Sequence, residues 1–258
     1  MSTDKMKRPI LRLLAVLLLI PTATCAQDKL KAFISSDIIS HYMWRGQDLG
    51  NICIQPEIGL AWKGLSLSLS GSMGFRSEDY EELDIKLEYE HDCGLQLHLT
   101  DYWAEDGYDN RYLFLQHDAN HMLEAGIGYG CKYGSLTWYT MIAGYDYKTN
   151  GDRAFSSFVE LEIPFKAFTL DWDFKLGLCP YESSGAVFEE TVTEHDQTYN
   201  ISYTDYFYAK CFAVNMLSLR ATKTFEFKKF ELPVFTEIHV NPASQHARLL
   251  LGLTIDIL

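Results

Sequence analysis

Residues 65–76 read Leu65-Ser66-Leu67-Ser68-Leu69-Ser70-Gly71-Ser72-Met73-Gly74-Phe75-Arg76. Apolar side chains fall at Leu65, Leu67, Leu69, Met73 and Phe75, with small or polar residues between them. Successive side chains of a strand point to opposite faces, so this stretch is a strand with one apolar and one polar side. The same alternation recurs along the chain from Lys31 onward. It predicts an all-β fold: an up-and-down antiparallel transmembrane β-barrel with lipid outside and water inside.

The N-terminus reads differently. Lys5, Lys7, Arg8 and Arg12 precede an apolar run from Leu13 to Ile20, and small residues follow to Thr24-Cys25-Ala26. Basic head, short apolar middle and small residues before a cut describe a secretory signal. Residues 1–26 are therefore expected to be removed, leaving 27–258 as the barrel domain. The run is too short for a spanning helix, which needs roughly 20 residues. Cys25 suggests a lipoprotein signal as an alternative, but Thr22-Ala23-Thr24 before it does not fit the usual pattern. No other stretch reads as a transmembrane helix. The full chain carries a net charge of −13, and removing a basic leader makes the rest more acidic still. That excludes a nucleic-acid partner, which needs a basic face. Cys53, Cys93, Cys131, Cys179 and Cys211 remain. They are odd in number, with no zinc or disulfide spacing, and read as unpaired thiols.

Twelve amphipathic strands can be laid down: 31–45, 52–63, 65–76, 80–91, 94–103, 122–131, 135–145, 153–163, 167–179, 216–226, 229–240 and 246–258. A tilted barrel strand needs roughly 9–11 residues to cross the hydrocarbon. The connections alternate. Tight ones fall at Lys63-Gly64, residues 91–94, residues 131–134, Pro164-Phe165-Lys166 and Phe227-Lys228. Longer polar ones fall at 47–51, 104–121, 147–152, 180–215 and 241–245. Short periplasmic turns and long external loops are the habit of outer-membrane barrels.

Parity separates the side chains by type. The outward face carries Ile54, Ile58, Leu60, Leu83, Ile85, Leu87, Leu170, Trp172, Leu249 and Leu251, among others. Aromatic residues near strand ends, Tyr42 and Trp44 at one edge and Trp62, Tyr89, Tyr129 and Phe225 at the other, suit interfacial girdles. The inward face carries the charges, with acids outnumbering bases. The pore-lining and selectivity candidates are Asp37, Arg45, Arg76, Glu82, Asp84, Lys86, Glu88, Glu160, Asp171, Asp173, Arg220 and Arg248. A Lys or Arg facing lipid at midplane would cost about 2–4 kcal/mol, so this segregation argues for a membrane barrel over a secreted soluble one. Lys223 breaks the rule near a strand end, where its ammonium can snorkel.

The first strand contains Phe33-Ile34-Ser35-Ser36-Asp37 and runs on to Tyr42-Met43-Trp44-Arg45-Gly46. This resembles the opening of the TorF-type porins of Gram-negative outer membranes, in which a Ser-Asp pair is followed by aromatic and apolar residues and then Arg-Gly. The resemblance covers roughly the first 45 residues after the leader and implies a pore. Here seven residues separate Asp37 from Arg45, which still leaves both on one face and allows an interior Asp–Arg pair.

Chemistry is sparsely signalled. His117 and His121 lie four apart in a long loop with no third ligand of clear spacing, and His195-Asp196 is weaker still. An outer-membrane lipid hydrolase needs Ser and His together on the lipid-facing side. Ser36, Ser40 and Ser157 are outward, but His91, also outward, is at the opposite edge. No catalytic residue, cofactor or metal is expected. The expected partners are the lipid bilayer, the outer-membrane assembly machinery and small polar or cationic solutes. The expected role is a narrow, cation-preferring passive channel. Neutralising Glu82, Asp84 and Glu88 together should lower that preference. The alternative is a non-conducting structural or adhesion barrel working through external loops such as 180–215.

Overall fold

The computed structural model describes residues 29–76, 79–104, 121–194 and 197–257. The leader segment with Cys25, His117 and the His195-Asp196 pair lie outside them. Sixteen strands follow one another among the described residues. They are β1 (Lys31–Ile39), β2 (Tyr42–Trp44), β3 (Gln47–Gly50), β4 (Cys53–Trp62), β5 (Leu65–Gly74), β6 (Glu82–Glu90), β7 (Leu95–Ala104) and β8 (His121–Cys131). Then come β9 (Gly134–Gly144), β10 (Ser157–Ala167), β11 (Leu170–Cys179), β12 (Gly185–Glu194), β13 (Gln197–Tyr206), β14 (Ala213–Glu226), β15 (Glu231–Asn241) and β16 (His246–Asp256).

Twelve of these close into an antiparallel barrel in the order β1-β16-β15-β14-β11-β10-β9-β8-β7-β6-β5-β4. The seam is sealed by β1 against β16, from Ser35↔Asp256 to Ile39↔Gly252. Closure gives every barrel strand a partner on both sides, which matters for a sheet of this length. The two remaining pairs, β2–β3 and β12–β13, are hairpins inserted into long connections. The alternation of connections holds around the barrel. Short turns sit at one end, and the loops that carry both inserted hairpins sit at the other.

Side-chain parity matches the pairing. Ile58, Leu60, Leu67, Leu69, Leu97, Ile127, Trp138, Leu249 and Leu251 are exposed on the outer face. Their in-between neighbours Ser68, Ser72, Asp84, Glu124 and Glu237 are buried inside. Lys223 lies on the outer face near the short-turn end, where its Nζ donates to the Thr169 carbonyl at 3.4 Å. A second outward charge, Asp101, lies on β7 and is engaged by His121 Nδ1 at 3.0 Å. It too is near a strand end, where a charge can be satisfied.

Three departures from the alternation's prediction stand out. The first strand does not run to Arg45 but ends at Ile39, and Tyr42–Gly50 turns back as its own hairpin. Pro164-Phe165-Lys166 is not a turn, because β10 continues to Ala167 and reverses at Phe168-Thr169. Pro164 is tolerated there because the pairing of β10 with β9 stops at Glu162↔Ser135. Beyond that pair the strand has a neighbour on one side only, the usual place for a strand proline. The 180–215 connection is not simply a loop, because it holds the β12–β13 hairpin.

Candidate functional site: a hairpin across the lumen

The β2–β3 hairpin is short, and its turn is Arg45-Gly46, between the paired Trp44 and Gln47. Both turn residues have positive φ, 50° at Arg45 and 85° at Gly46. Two central residues of positive φ make the turn whose twist suits a two-residue hairpin, with Gly as the natural second residue. Gly46 is required for a second reason. A Cβ there would lie 1.9 Å from the Asn215 carbonyl oxygen.

The hairpin starts between β1 and β4 and reaches the opposite wall. In the ring, β9 and β10 lie diametrically across from that starting point. The Arg45 guanidinium sits 4.3 Å from the ring centre of Tyr139 on β9 and 5.1 Å from that of Phe158 on β10. Its Nη1 donates to Glu124 Oε1 at 2.5 Å and to the Tyr208 hydroxyl at 2.7 Å, and Nη2 donates to Glu124 Oε2 at 2.8 Å. The Arg45 and Glu124 side chains are only 7% and 2% exposed. A fork-to-fork pair of this kind is among the stronger polar contacts, and both charges depend on it because neither reaches water. Burial pushes the Tyr208 hydroxyl well above the usual phenol range, with Arg45 opposing, so it stays protonated.

Further contacts fix the sides of the hairpin. Trp44 meets Tyr102 edge-on at 5.5 Å and packs against Phe207 and Tyr208. Asn241 Nδ2 donates to the Gly46 carbonyl at 3.0 Å, and Gln47 Nε2 donates to the Phe207 carbonyl at 2.5 Å. Asp48 accepts from Arg248 Nε at 2.7 Å. Tyr42 donates to Glu82 and packs against Ile39, Cys53 and Phe235. The hairpin therefore touches the barrel wall on nearly every side, and every barrel strand contributes a buried side chain. The hairpin spans the lumen at this level.

Toward the short turns the interior is wetter and more charged. Glu88 pairs with His98 at 3.1 Å and Lys175 with Glu162 at 3.6 Å. Farther from the turns, buried Glu237 pairs with Arg220 at 2.8 Å, accepts from Ser218 at 2.6 Å and contacts His239 Nδ1 at 3.1 Å. Glu160 and Asp173 are half-buried toward the turns, and Asp171 is exposed at the rim against Lys166 at 2.8 Å. A cavity of about 610 Å³ opens among these turns, with Glu90, Gln96 and Glu162 on its wall.

Several sequence expectations need correction. Arg45 does not pair with Asp37; it pairs with Glu124, while Asp37 accepts from Thr254 at 2.7 Å. Tyr42 and Trp44 are not girdle residues, because the hairpin carries them into the lumen. Arg76 does not line the lumen; it sits exposed in the bend after β5, its backbone N–H held by Asp79 Oδ2 at 2.9 Å. Hydrogen bonds from the Arg76 and Phe75 backbone and from Asn51 outweigh desolvation and keep the Asp79 carboxyl below its usual range. Lys86, Glu82 and Asp84 do face inward, under the hairpin. Ser40 Oγ accepts the Leu251 N–H, and Ser157 is buried against Thr140 and Tyr181. Both are at the loop end, whereas His91 belongs to a short turn.

Glu124, Tyr139 and Tyr208 are the partners of Arg45 that the alternation alone does not reveal. Parity places Glu124 inward, but nothing local connects it to a residue 79 positions away. Comparison with known proteins finds no family model that matches this chain and no curated protein similar to it.

Proposed function

We propose that this chain is an outer-membrane barrel that acts as a narrow, cation-preferring channel for small polar solutes, with the Tyr42–Gly50 hairpin as its gate. The observation that carries this reading is a polar plug above a charged vestibule. The hairpin is anchored by two ion pairs, Arg45–Glu124 and Asp48–Arg248, and by hydrogen bonds, groups that water satisfies again on release. Beneath it lie Glu88, Glu160 and Asp173, partly accessible rather than packed away. Rings of acidic side chains favour cations over anions. The apolar outer face, the alternation of turns and loops and the leader segment support the membrane location. The likeness of the first strand to TorF-type porins supports the same reading. The reading includes no chemical step.

The test is a salt-gradient recording in planar bilayers on a barrel opened by Arg45→Ala, compared with the same barrel carrying Glu88→Gln, Glu160→Gln and Asp173→Asn. The expected reversal potential is cation-biased and moves toward zero in the neutralised barrel. An unchanged potential overturns the assigned selectivity. One observation favours a second reading, a loop-mediated binder. The external β12–β13 hairpin exposes Val187 and a stacked Phe188–Tyr203 pair at 5.8 Å. Removing residues 185–206 would abolish partner binding under that reading and leave a channel conducting.

A further inference from the structure

Two of the five cysteines that follow the leader come together at the short-turn end. Cys93 lies in the turn from His91 to Gly94, and Cys131 ends β8. β7 and β8 pair in a register that includes Gln96↔Gly128 and Leu95↔Tyr129, and the Gly130 N–H goes on to donate to the Gly94 carbonyl at 2.8 Å. One step further along that register, Cys93 stands opposite Cys131. The turn is held against β8 at this point: a Cβ at Gly94 would lie 2.2 Å from the Gly130 carbonyl oxygen. His91 Nδ1 accepts the Cys93 N–H at 3.1 Å and fixes the turn from within. Both cysteines are exposed, and both line the cavity of about 610 Å³ among the turns. Residues opposed across an antiparallel pair have Cα atoms about 4.5–5.5 Å apart, inside the roughly 4.4–6.8 Å that a disulfide spans.

The remaining cysteines cannot compete. Cys53 starts β4 and Cys179 ends β11, both buried at the loop end, and Cys211 lies in the loop before β14. The length of the barrel separates them from Cys93 and Cys131. Under the outer-membrane reading proposed above, on which this inference rests, the short turns face the periplasm, where disulfides form and persist. We infer that Cys93 and Cys131 are joined there by a disulfide that staples the β6–β7 turn to the end of β8. The oxidant is an exported protein disulfide. Either thiolate attacks one of its sulfurs, giving a mixed disulfide and a leaving thiolate; the other thiolate then attacks the sulfur of its neighbour, closes the bond and releases the second. The two cysteines give up two electrons, which the oxidant's disulfide takes up, and two protons, which go to its thiolates or to water. The bond closes the chain from residue 93 to residue 131 into a ring that holds β7 and β8, so it restricts the unfolded chain and stabilises the folded one.

The test uses the full barrel refolded in detergent, equilibrated with an excess of oxidised over reduced glutathione, alkylated, and cut with trypsin without reduction. Cys93 falls in peptide 87–111 and Cys131 in peptide 112–132. The expected product in mass spectrometry is the two peptides joined, two hydrogens lighter than their sum, with none of the other three cysteines linked to either. A reductant should lower the urea midpoint of the native sequence and leave those of Cys93→Ser and Cys131→Ser where they stand. Peptides recovered apart from the refolded barrel, or a midpoint that the reductant leaves unmoved, overturn the inference while the channel reading stands. The same digest is run on barrel taken from cell envelopes and alkylated at lysis. Joined peptides are expected; separate ones, from a chain that joins them on refolding, overturn the periplasmic placement of the turns instead.

Discussion

Replacing Arg45 by Ala removes the centre of the plug without touching the barrel ladder. The guanidinium makes three hydrogen bonds, two to Glu124 and one to Tyr208, and lies against Trp44, Tyr139 and Phe158. Its loss leaves Glu124, 2% exposed, as an uncompensated charge. Breaking one partner of a buried pair typically costs about 3–5 kcal/mol, and the lost cation–π contacts act in the same direction. At about 1.4 kcal/mol per tenfold, the docked hairpin is disfavoured by between roughly a hundredfold and several thousandfold. The cost falls on docking because the twelve-strand ladder contains neither β2 nor β3. The assay is single-channel open probability, read alongside hydrogen exchange of the residue 42–50 amides in the same protein. Both should rise steeply in Arg45→Ala. Arg45→Ala combined with Glu124→Ala should recover part of the closure, because no buried charge is then left unpaired. Unchanged exchange and unchanged open probability in the single variant would refute the reasoning.

Three further outcomes follow from particular residues. Gly46→Ala should undock the hairpin as well: a φ of 85° costs a non-glycine residue about 1–2 kcal/mol, and the new Cβ meets the Asn215 carbonyl, so open probability should again rise. The Phe168-Thr169 turn has φ values of 51° and 62° with no glycine, so Phe168→Asn with Thr169→Gly should stabilise the barrel by about 1–2 kcal/mol in urea unfolding, and no gain would contradict the turn assignment. Exposed Cys211 lies on the loop side and exposed Cys93 and Cys131 on the turn side, while Cys53 and Cys179 are buried. An impermeant maleimide on intact cells should therefore modify Cys211 alone, and labelling of Cys93 or Cys131 instead would invert the orientation.

The barrel itself is legible in the sequence because a strand with one apolar and one polar face must alternate, and a one-residue slip would put every charge on the apolar face. Leu65–Gly74 and Glu82–Glu90 are found almost to the residue for that reason. The plug is not legible, because a hairpin inside the lumen alternates too. Residues 31–45 keep the rhythm through Ile39 into Tyr42-Met43-Trp44, so the bend at Ser40-His41 leaves no break in period. The cue that survives is Arg45-Gly46, a turn dipeptide that reads equally well as the end of a strand. The β12–β13 hairpin was hidden differently: its residues pair with each other rather than with the barrel, a choice set by tertiary closure and not by local propensity. Glu124 shows the remaining gap, since parity gives its face but only the folded ring gives its partner.

Excising the hairpin tests the whole account most directly. Ile39 and Cys53 are already paired across β1 and β4, so a short turn can replace residues 41–51 without disturbing the sheet. The intact protein and the excised one would be refolded, shown to be barrels by circular dichroism, and recorded side by side in planar bilayers. The account predicts rare openings from the intact chain and sustained, cation-biased conductance steps from the excised one. Silence from a folded, inserted barrel without its hairpin would contradict it.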